Sequence, residues 1–336
     1  MLKLLKALIF LAFLTSIGVV GGLYWYARHP LDLGRTAVDL TIPRGASMRT
    51  AARLAGSALP VVPEILVLLA RLDGRDTRIK AGSYEIADGI TPQQLIDKLT
   101  RGDVTLQELT VPEGWTFRQF RVALNAHPGI RRDTASLEDV ELLRRIQALE
   151  GGSEMHPEGL FFPDTYLFAK GSDETEVLRR AYRAMQKRLA AAWQDRAAGV
   201  PLATPYQALV LASIIEKETG KAGERPLIAG VFVNRLKRGM LLQTDPTVIY
   251  GLGERFDGNL RRRDLLADTP YNTYTRAGLP PTPIALPGEA ALRAALNPAR
   301  TDAVYFVSRG DGSHEFSATL EAHNRAVNRY QRRQGG

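Results

Sequence analysis

The chain of 336 residues contains no cysteine, which excludes disulfide scaffolds and thiolate metal sites while permitting an oxidising compartment. Histidine is almost as scarce. Its five copies, His29, His127, His156, His314 and His323, are scattered without ligand spacing, so no metal site built from protein ligands is expected. A Gly-x-Ser-x-Gly nucleophile elbow is missing, Ser313 beside His314 falls in an expected hairpin turn, and no phosphate loop occurs. Carboxylates are the remaining candidates for chemistry. What is plentiful is ordinary: 45% hydrophobic and 24% charged residues describe a globular protein with room for two or three domains. The net charge of +8, from 44 Lys and Arg against 36 Asp and Glu, suits an anionic partner without choosing among nucleic acid, membrane and acidic polymer.

The N-terminus narrows that choice. Residues 7–27 carry no charge, close to the roughly 20 residues that cross a bilayer as a helix. Lys3 and Lys6 precede the run and orient residues 1–6 to the cytoplasm, while Tyr24, Trp25 and Tyr26 form an aromatic belt at the outer interface. A cleaved signal peptide would have a shorter apolar core and a small-x-small exit. The expectation is an uncleaved, single-pass anchor in the cell (inner) membrane, with the C-terminal domain in the periplasm or otherwise outside the cytoplasm. A nucleic-acid partner is then not expected.

Between residues 31 and 129 a pattern recurs three times: a β-rich run, a turn with Gly, a hydroxyl cap and a helical run. The copies are LTIPRGASMRTAARLAG (40–56), YEIADGITPQQLIDKLTRG (84–102) and LTVPEGWTFRQFRVALNA (109–126). Gly45, Gly89 and Gly114 stand two residues before Ser47, Thr91 and Thr116, so each hydroxyl caps the free N–H groups of the following helix. With a further helix over 62–74, the stretch 37–102 reads strand–helix–helix–strand–helix, a small α+β module. Residues 131–150 read as a linker or exposed helix and 157–171 as loop. Helices are expected over 173–198, 205–218, 225–240 and 288–298, a hairpin over 302–317, and little periodicity over 241–288.

The run LASIIEKETG (211–220) sets two glutamates at the end of an apolar helix, where the helix's negative end disfavours them. Glu216 and Glu218 lie about 200° apart, so they cannot form a mutual dyad. Glu218 stacks over Ile214, Ile215 and Leu211; the neighbours of Glu216, Ala212, Ser213 and Leu209, are smaller and partly polar. Glu218 is therefore expected to be the more desolvated, its pKa pushed from about 4.3 towards the ~6 of a protonated catalytic acid. An exposed glutamate at a frayed helix end is the plain alternative. The loop YNTYT supplies Tyr271, Asn272, Thr273 and Tyr274, and Gln243, Thr244 and Asp245 add to them. Flat rings with many neutral hydrogen-bonding groups suit a sugar.

Five motifs together, EKET, VFVNRL, LQTDPTVIYG, YNTYTRAGLPPTPI and EGLFFPDTY, resemble those of the YceG-like endolytic murein transglycosylases. The resemblance covers the whole chain. It implies an α+β protein with a single N-terminal transmembrane helix (7–27), a LysM-like α+β module (37–105), a connecting strand–helix region (106–150) and a mixed α/β catalytic domain with a loop-rich glycan cleft (151–330). Members of that family cut peptidoglycan strands internally between MurNAc and GlcNAc, beside the peptidoglycan synthases. The family's catalytic acid falls on Glu218, with Glu216 in a supporting place, and Gln243, Asp245, Tyr271, Asn272 and Tyr274 are the candidates for holding the sugar. No cofactor and no metal are implied. One acid suffices for this lyase chemistry, since MurNAc supplies its own C6 hydroxyl as nucleophile. Two other readings stay open: a muramidase-type hydrolase using Glu218 with Asp245 or Glu224, and a non-catalytic peptidoglycan-binding scaffold.

Overall fold

The computed structural model describes residues 2–43 and 45–331. The described residues fall into two compact units, one within Met1–Glu108 and Leu167–Ser172, the other within Leu109–Tyr166 and Asp173–Gly336.

The first unit opens with α1 (Leu2–Arg28). Its stretch Lys3–Arg28 is long and apolar enough to cross a membrane, a property that signal sequences share. Its last turn packs on protein. Ala27 is buried with the unit's core, and the Tyr26 hydroxyl accepts the Val62 N–H at 2.8 Å. Tyr24 and Trp25 stay exposed. Tyr26, expected in the interfacial belt, is instead engaged by the unit that follows.

That unit continues through β1 (Ala37–Ile42), α2 (Met48–Ala58), α3 (Pro63–Leu72), β2 (Gly82–Ala87) and α4 (Pro92–Arg101), the order expected for 37–102. β1 and β2 are antiparallel, with Ala37 opposite Ala87 and Ile42 opposite Gly82. Alternation turns Val38, Leu40 and Ile42 inward, where Leu66, Tyr84, Ile86 and Leu95 meet them. The repeat is visible in its caps. Ser47 accepts from the Thr50 N–H, and Thr91 forms a capping box with Gln94. Gly45, Gly89 and Gly114 have φ values of 77°, 77° and 78°, a left-handed turn that a Cβ would strain.

The chain leaves the first unit along β3 (Leu106–Thr110) and enters α5 (Phe117–Ala126), β4 (Ile130–Arg131), α6 (Asp139–Glu150), β5 (Thr165–Ala169) and β6 (Ser172–Asp173). β3 pairs with β5 and β4 with β6, so the chain passes between the units a second time along β5. Two segments differ from expectation. The stretch read as linker or exposed helix contains α6, whose Leu142, Leu143 and Ile146 are buried. Within the stretch read as loop, β5 turns Tyr166 and Phe168 inward and leaves Leu167 outside.

The second unit is built around one helix. α7 (Glu174–Gln194) is followed by α8 (Pro205–Glu218), α9 (Arg225–Lys237), α10 (Asp245–Leu252), α11 (Arg262–Leu266) and α12 (Glu289–Leu296). The hairpin β7 (Tyr305–Ser308) and β8 (His314–Ser317) and the helix α13 (Leu320–Tyr330) close it. α8 packs against α7, α9, α10 and α12, and every residue from Ala208 to Ile215 is buried. A helix enclosed on all sides must be apolar all round. Its C-terminal turn, carrying Glu216 and Glu218, is the first part free to bear charge.

Candidate active site

The two glutamates of that turn have different partners. Glu216 faces the start of α9 and the loop before α12: Arg225 donates to its Oε1 at 3.0 Å and the Gly288 N–H to its Oε2 at 2.9 Å. Its side chain is only 4% exposed. The residue spacing makes Glu218 the more desolvated of the two; burial is the main influence on its carboxyl, and Glu216 is buried as well. A guanidinium and an N–H neutralise one buried carboxylate, whereas Glu218 lacks a cation at ion-pair distance among the described residues. Partners separate the pair better than burial does.

Glu218 accepts a hydrogen bond from the Thr244 hydroxyl. Burial pushes its carboxyl up to about 6; Thr244 opposes the rise, the charge of Asp245 adds to it, and His314 and Arg235 oppose it. Thr244 is the N-cap of α10, yet its hydroxyl makes no cap bond. A cap residue is worth about 1 kcal/mol to its helix, and here the hydroxyl serves the acid instead. The Thr244 N–H donates to the Thr273 hydroxyl at 3.1 Å, and the Thr247 and Thr273 hydroxyls lie 2.9 Å apart. This threonine cluster joins the loop after α9 to the YNTYT loop behind Glu218.

The other residues singled out from sequence take different places. Asp245 and Tyr274 sit beside Glu218, the Tyr274 hydroxyl donating to Asp245 at 2.5 Å. Burial, then Asp245, keeps the Tyr274 phenol protonated. Gln243 is exposed next to Thr244 and has a φ of 47°, the one non-glycine with positive φ among the described residues, a strained backbone of the kind that gathers at functional sites. Tyr271 points elsewhere, its hydroxyl 2.8 Å from that of Thr282 and its ring edge-on to Tyr250. Asn272 is fully buried: its Nδ2 donates to the carbonyls of Asp264, Leu265 and Ala267, and its Oδ1 accepts from the Tyr274 N–H. It holds the loop's shape from within.

Several further polar groups of the second unit take partners from distant parts of the chain. Arg235, from VFVNRL, is buried and donates to the carbonyls of Val304, Leu241 and Leu242. His314 and Glu224 form a pair, with Nδ1 and Oε2 2.7 Å apart and the His314 N–H donating to Oε1 at 3.1 Å. Burial would raise Glu224, but the bonds from His314 carry it below its ordinary value. Glu158, the first residue of EGLFFPDTY, is 3% exposed and hydrogen-bonded to the Phe117 N–H and the Tyr250 hydroxyl. The motif itself was the signal for Glu158; its partners come from far along the chain. Among the described residues no cluster of three His, Cys, Asp or Glu side chains is placed to hold a metal ion.

A buried helix that ends in one protonatable carboxyl, set among threonine and tyrosine hydroxyls, is equipped for acid–base chemistry. The chain belongs to the YceG-like family, whose model matches residues 40–329. It is 30% identical to a Bacillus subtilis protein named endolytic murein transglycosylase, with 93% of this chain and 91% of that protein aligned. A Streptococcus pneumoniae protein of the same name is 27% identical over 95% of this chain and 63% of its own length. The crystal structure of a yceG-like protein from Listeria monocytogenes superposes with a TM-score of 0.55 at 31% identity, covering 86% of this chain and 98% of that one.

Proposed function

We propose that the chain is an endolytic peptidoglycan lytic transglycosylase, cutting the MurNAc–GlcNAc bond within glycan strands with Glu218 as its single acid and base. The observation that carries this reading is the Glu218 carboxyl, pushed up to about 6 by burial at the end of α8 with the Thr244 hydroxyl bonded to it. A group titrating there can give a proton and take one back near neutral pH. Protonated Glu218 donates to the glycosidic oxygen; the C1–O bond breaks, its electron pair stays on the leaving oxygen, and an oxocarbenium-like centre develops at C1. The carboxylate then takes the proton of the MurNAc C6 hydroxyl as O6 bonds to C1, closing a 1,6-anhydro ring. Atoms balance without water.

Tyr274, Asp245 and the strained Gln243 stand beside the acid and hold the sugar, while Asn272 and the threonine cluster keep that loop in place. Glu216 supports the turn through Arg225. The N-terminal helix serves as an uncleaved anchor, placing the C-terminal unit in the periplasm or otherwise outside the cytoplasm, near the synthases that make new strands. The strand–helix module that follows it binds glycan in the manner of a LysM domain.

A muramidase-type hydrolase is the second reading, and one observation favours it: the Asp245 charge is felt by Glu218. Glu224, the other second acid considered, is occupied by His314. Cleavage assays on purified strands with Glu218→Gln separate enzyme from scaffold. A folded variant that cuts at the wild-type rate would remove Glu218 from the chemistry.

A further inference from the structure

Apart from the groups bonded to Glu218, the second unit forms an open cavity of about 810 Å³ between the first turn of α5, the loop before β5, α10 and Tyr271. Ligand sites run from about 300 to 1,000 Å³. Phe117, Ile249, Ile284 and the rings of Tyr250 and Tyr271 make its apolar walls, and the two tyrosine rings meet with centroids 5.0 Å apart at 63°. The polar group set into this wall is Glu158. Its Oε1 accepts the Phe117 N–H at 2.9 Å and its Oε2 the Tyr250 hydroxyl at 3.1 Å. Gly159 fixes the loop behind it: φ is 79°, and a Cβ would come within 2.5 Å of Pro283.

Charge at the rim is largely neutralised within the protein. Arg118 pairs with Glu254, Asp139 with Arg121, and the Lys217 ammonium donates to the Gly114 carbonyl. Burial pushes the Glu158 carboxyl up to about 7, against its hydrogen bonds with Phe117, Tyr250 and the Gly159 backbone. A carboxyl of this kind offers both a donor and an acceptor near neutral pH. Aromatic faces with such a group suit a neutral ring bearing hydroxyl and amide groups better than a phosphate or a carboxylate. The cavity also adjoins the proposed acid and a sugar-holding residue along the chain, since Lys217 and Pro246 line it and directly flank Glu218 and Asp245.

We infer that this cavity is a second sugar subsite, in which Glu158, Tyr250 and Tyr271 hold an N-acetylated sugar of the same strand away from the bond cut at Glu218. The inference rests on the strand-cutting reading and deepens it, because a cut within a strand requires a grip on sugars flanking the bond. Glu158 is thereby a binding group and not a second acid.

The test uses the full chain carrying Glu218→Gln, with peptide-free GlcNAc–MurNAc oligosaccharides from disaccharide to octasaccharide, followed by calorimetry. Affinity should rise with chain length. Ile249→Trp, which fills the cavity, should weaken the longest oligosaccharide by about tenfold, the equivalent of one sugar's contacts. Glu158→Gln, which retains an acceptor for Phe117, and Tyr250→Phe should each weaken it by about threefold. With Glu218 intact, Ile249→Trp should raise KM for long strands and leave kcat within about twofold. Unchanged oligosaccharide binding by the folded variants overturns the subsite, as does a loss of kcat at constant KM. An effect confined to strands bearing stem peptides also overturns it and makes the cavity a peptide site. If wild-type chain leaves strands uncut while filling the cavity still weakens binding, the cutting assignment fails and the subsite stands.

Discussion

Replacing Glu218 by Gln should abolish cleavage and stabilise the protein at the same time, but only at alkaline pH. The folded chain raises this carboxyl from 4.5 to about 6, which corresponds to about 2 kcal/mol. Because the folded pKa is the higher one, the stabilisation is fully present below about 4.5 and is lost as pH rises through about 6. Ionising the wild-type side chain at about pH 8 therefore costs the fold that amount. Gln cannot ionise, and its carbonyl still accepts the Thr244 hydroxyl. The variant should match wild type near pH 4 and exceed it by about 2 kcal/mol near pH 8, raising Tm by about 4–8 °C for a unit of this size. Differential scanning calorimetry of the detergent-solubilised chain at both pH values reads this, with strand cleavage followed in parallel. Equal Tm at the alkaline pH, or the same offset at both, would refute the burial argument for Glu218.

Four further outcomes follow from the same geometry. Glu216→Gln breaks a buried ion pair and leaves Arg225 with Glu113 alone at 3.8 Å, costing up to about 3 kcal/mol; urea unfolding should register it, while activity per folded molecule remains measurable. The kcat/KM of wild type should be flat below about pH 6 and fall about tenfold per pH unit above it, as Glu218 loses its proton. Thr244→Val removes the hydroxyl that opposes the rise, so this fall should move to higher pH; a profile superimposable on wild type would remove Thr244 from the site. Intact-mass measurement on the membrane fraction should find the N-terminal helix still attached, and a shorter mature chain would identify it as a leader.

What could be read from sequence was what depends on near neighbours. Ser47, Thr91 and Thr116 announce their helices because a cap and its N–H partner lie within three residues. The opposite outlook of Glu216 and Glu218 follows from the helical repeat alone, and their contrasting partners are consistent with it. Asp245–Leu252 was hidden inside a stretch that reads as irregular, although Pro246 occupies an early helical position where proline is well suited. β5 was hidden by the outward Leu167, which blurs the alternation of Tyr166 and Phe168. The chemistry around Glu218 was least legible. Thr244 reaches it across 26 positions, Tyr250 reaches Glu158 across 92, and Glu224 meets His314 across 90. No local pattern records such meetings, and none records that Glu216 is also covered, by Arg225 and Gly288 from farther along the chain.

The most direct measurement of the central claim is the chemical form of the new strand end. Purified strands digested in water enriched in heavy oxygen, then analysed by mass spectrometry, should yield 1,6-anhydro-MurNAc ends, lighter by one water than a hydrolysis product and free of the label. Reducing MurNAc ends carrying heavy oxygen would contradict the account and assign the second carboxylate's part to Asp245.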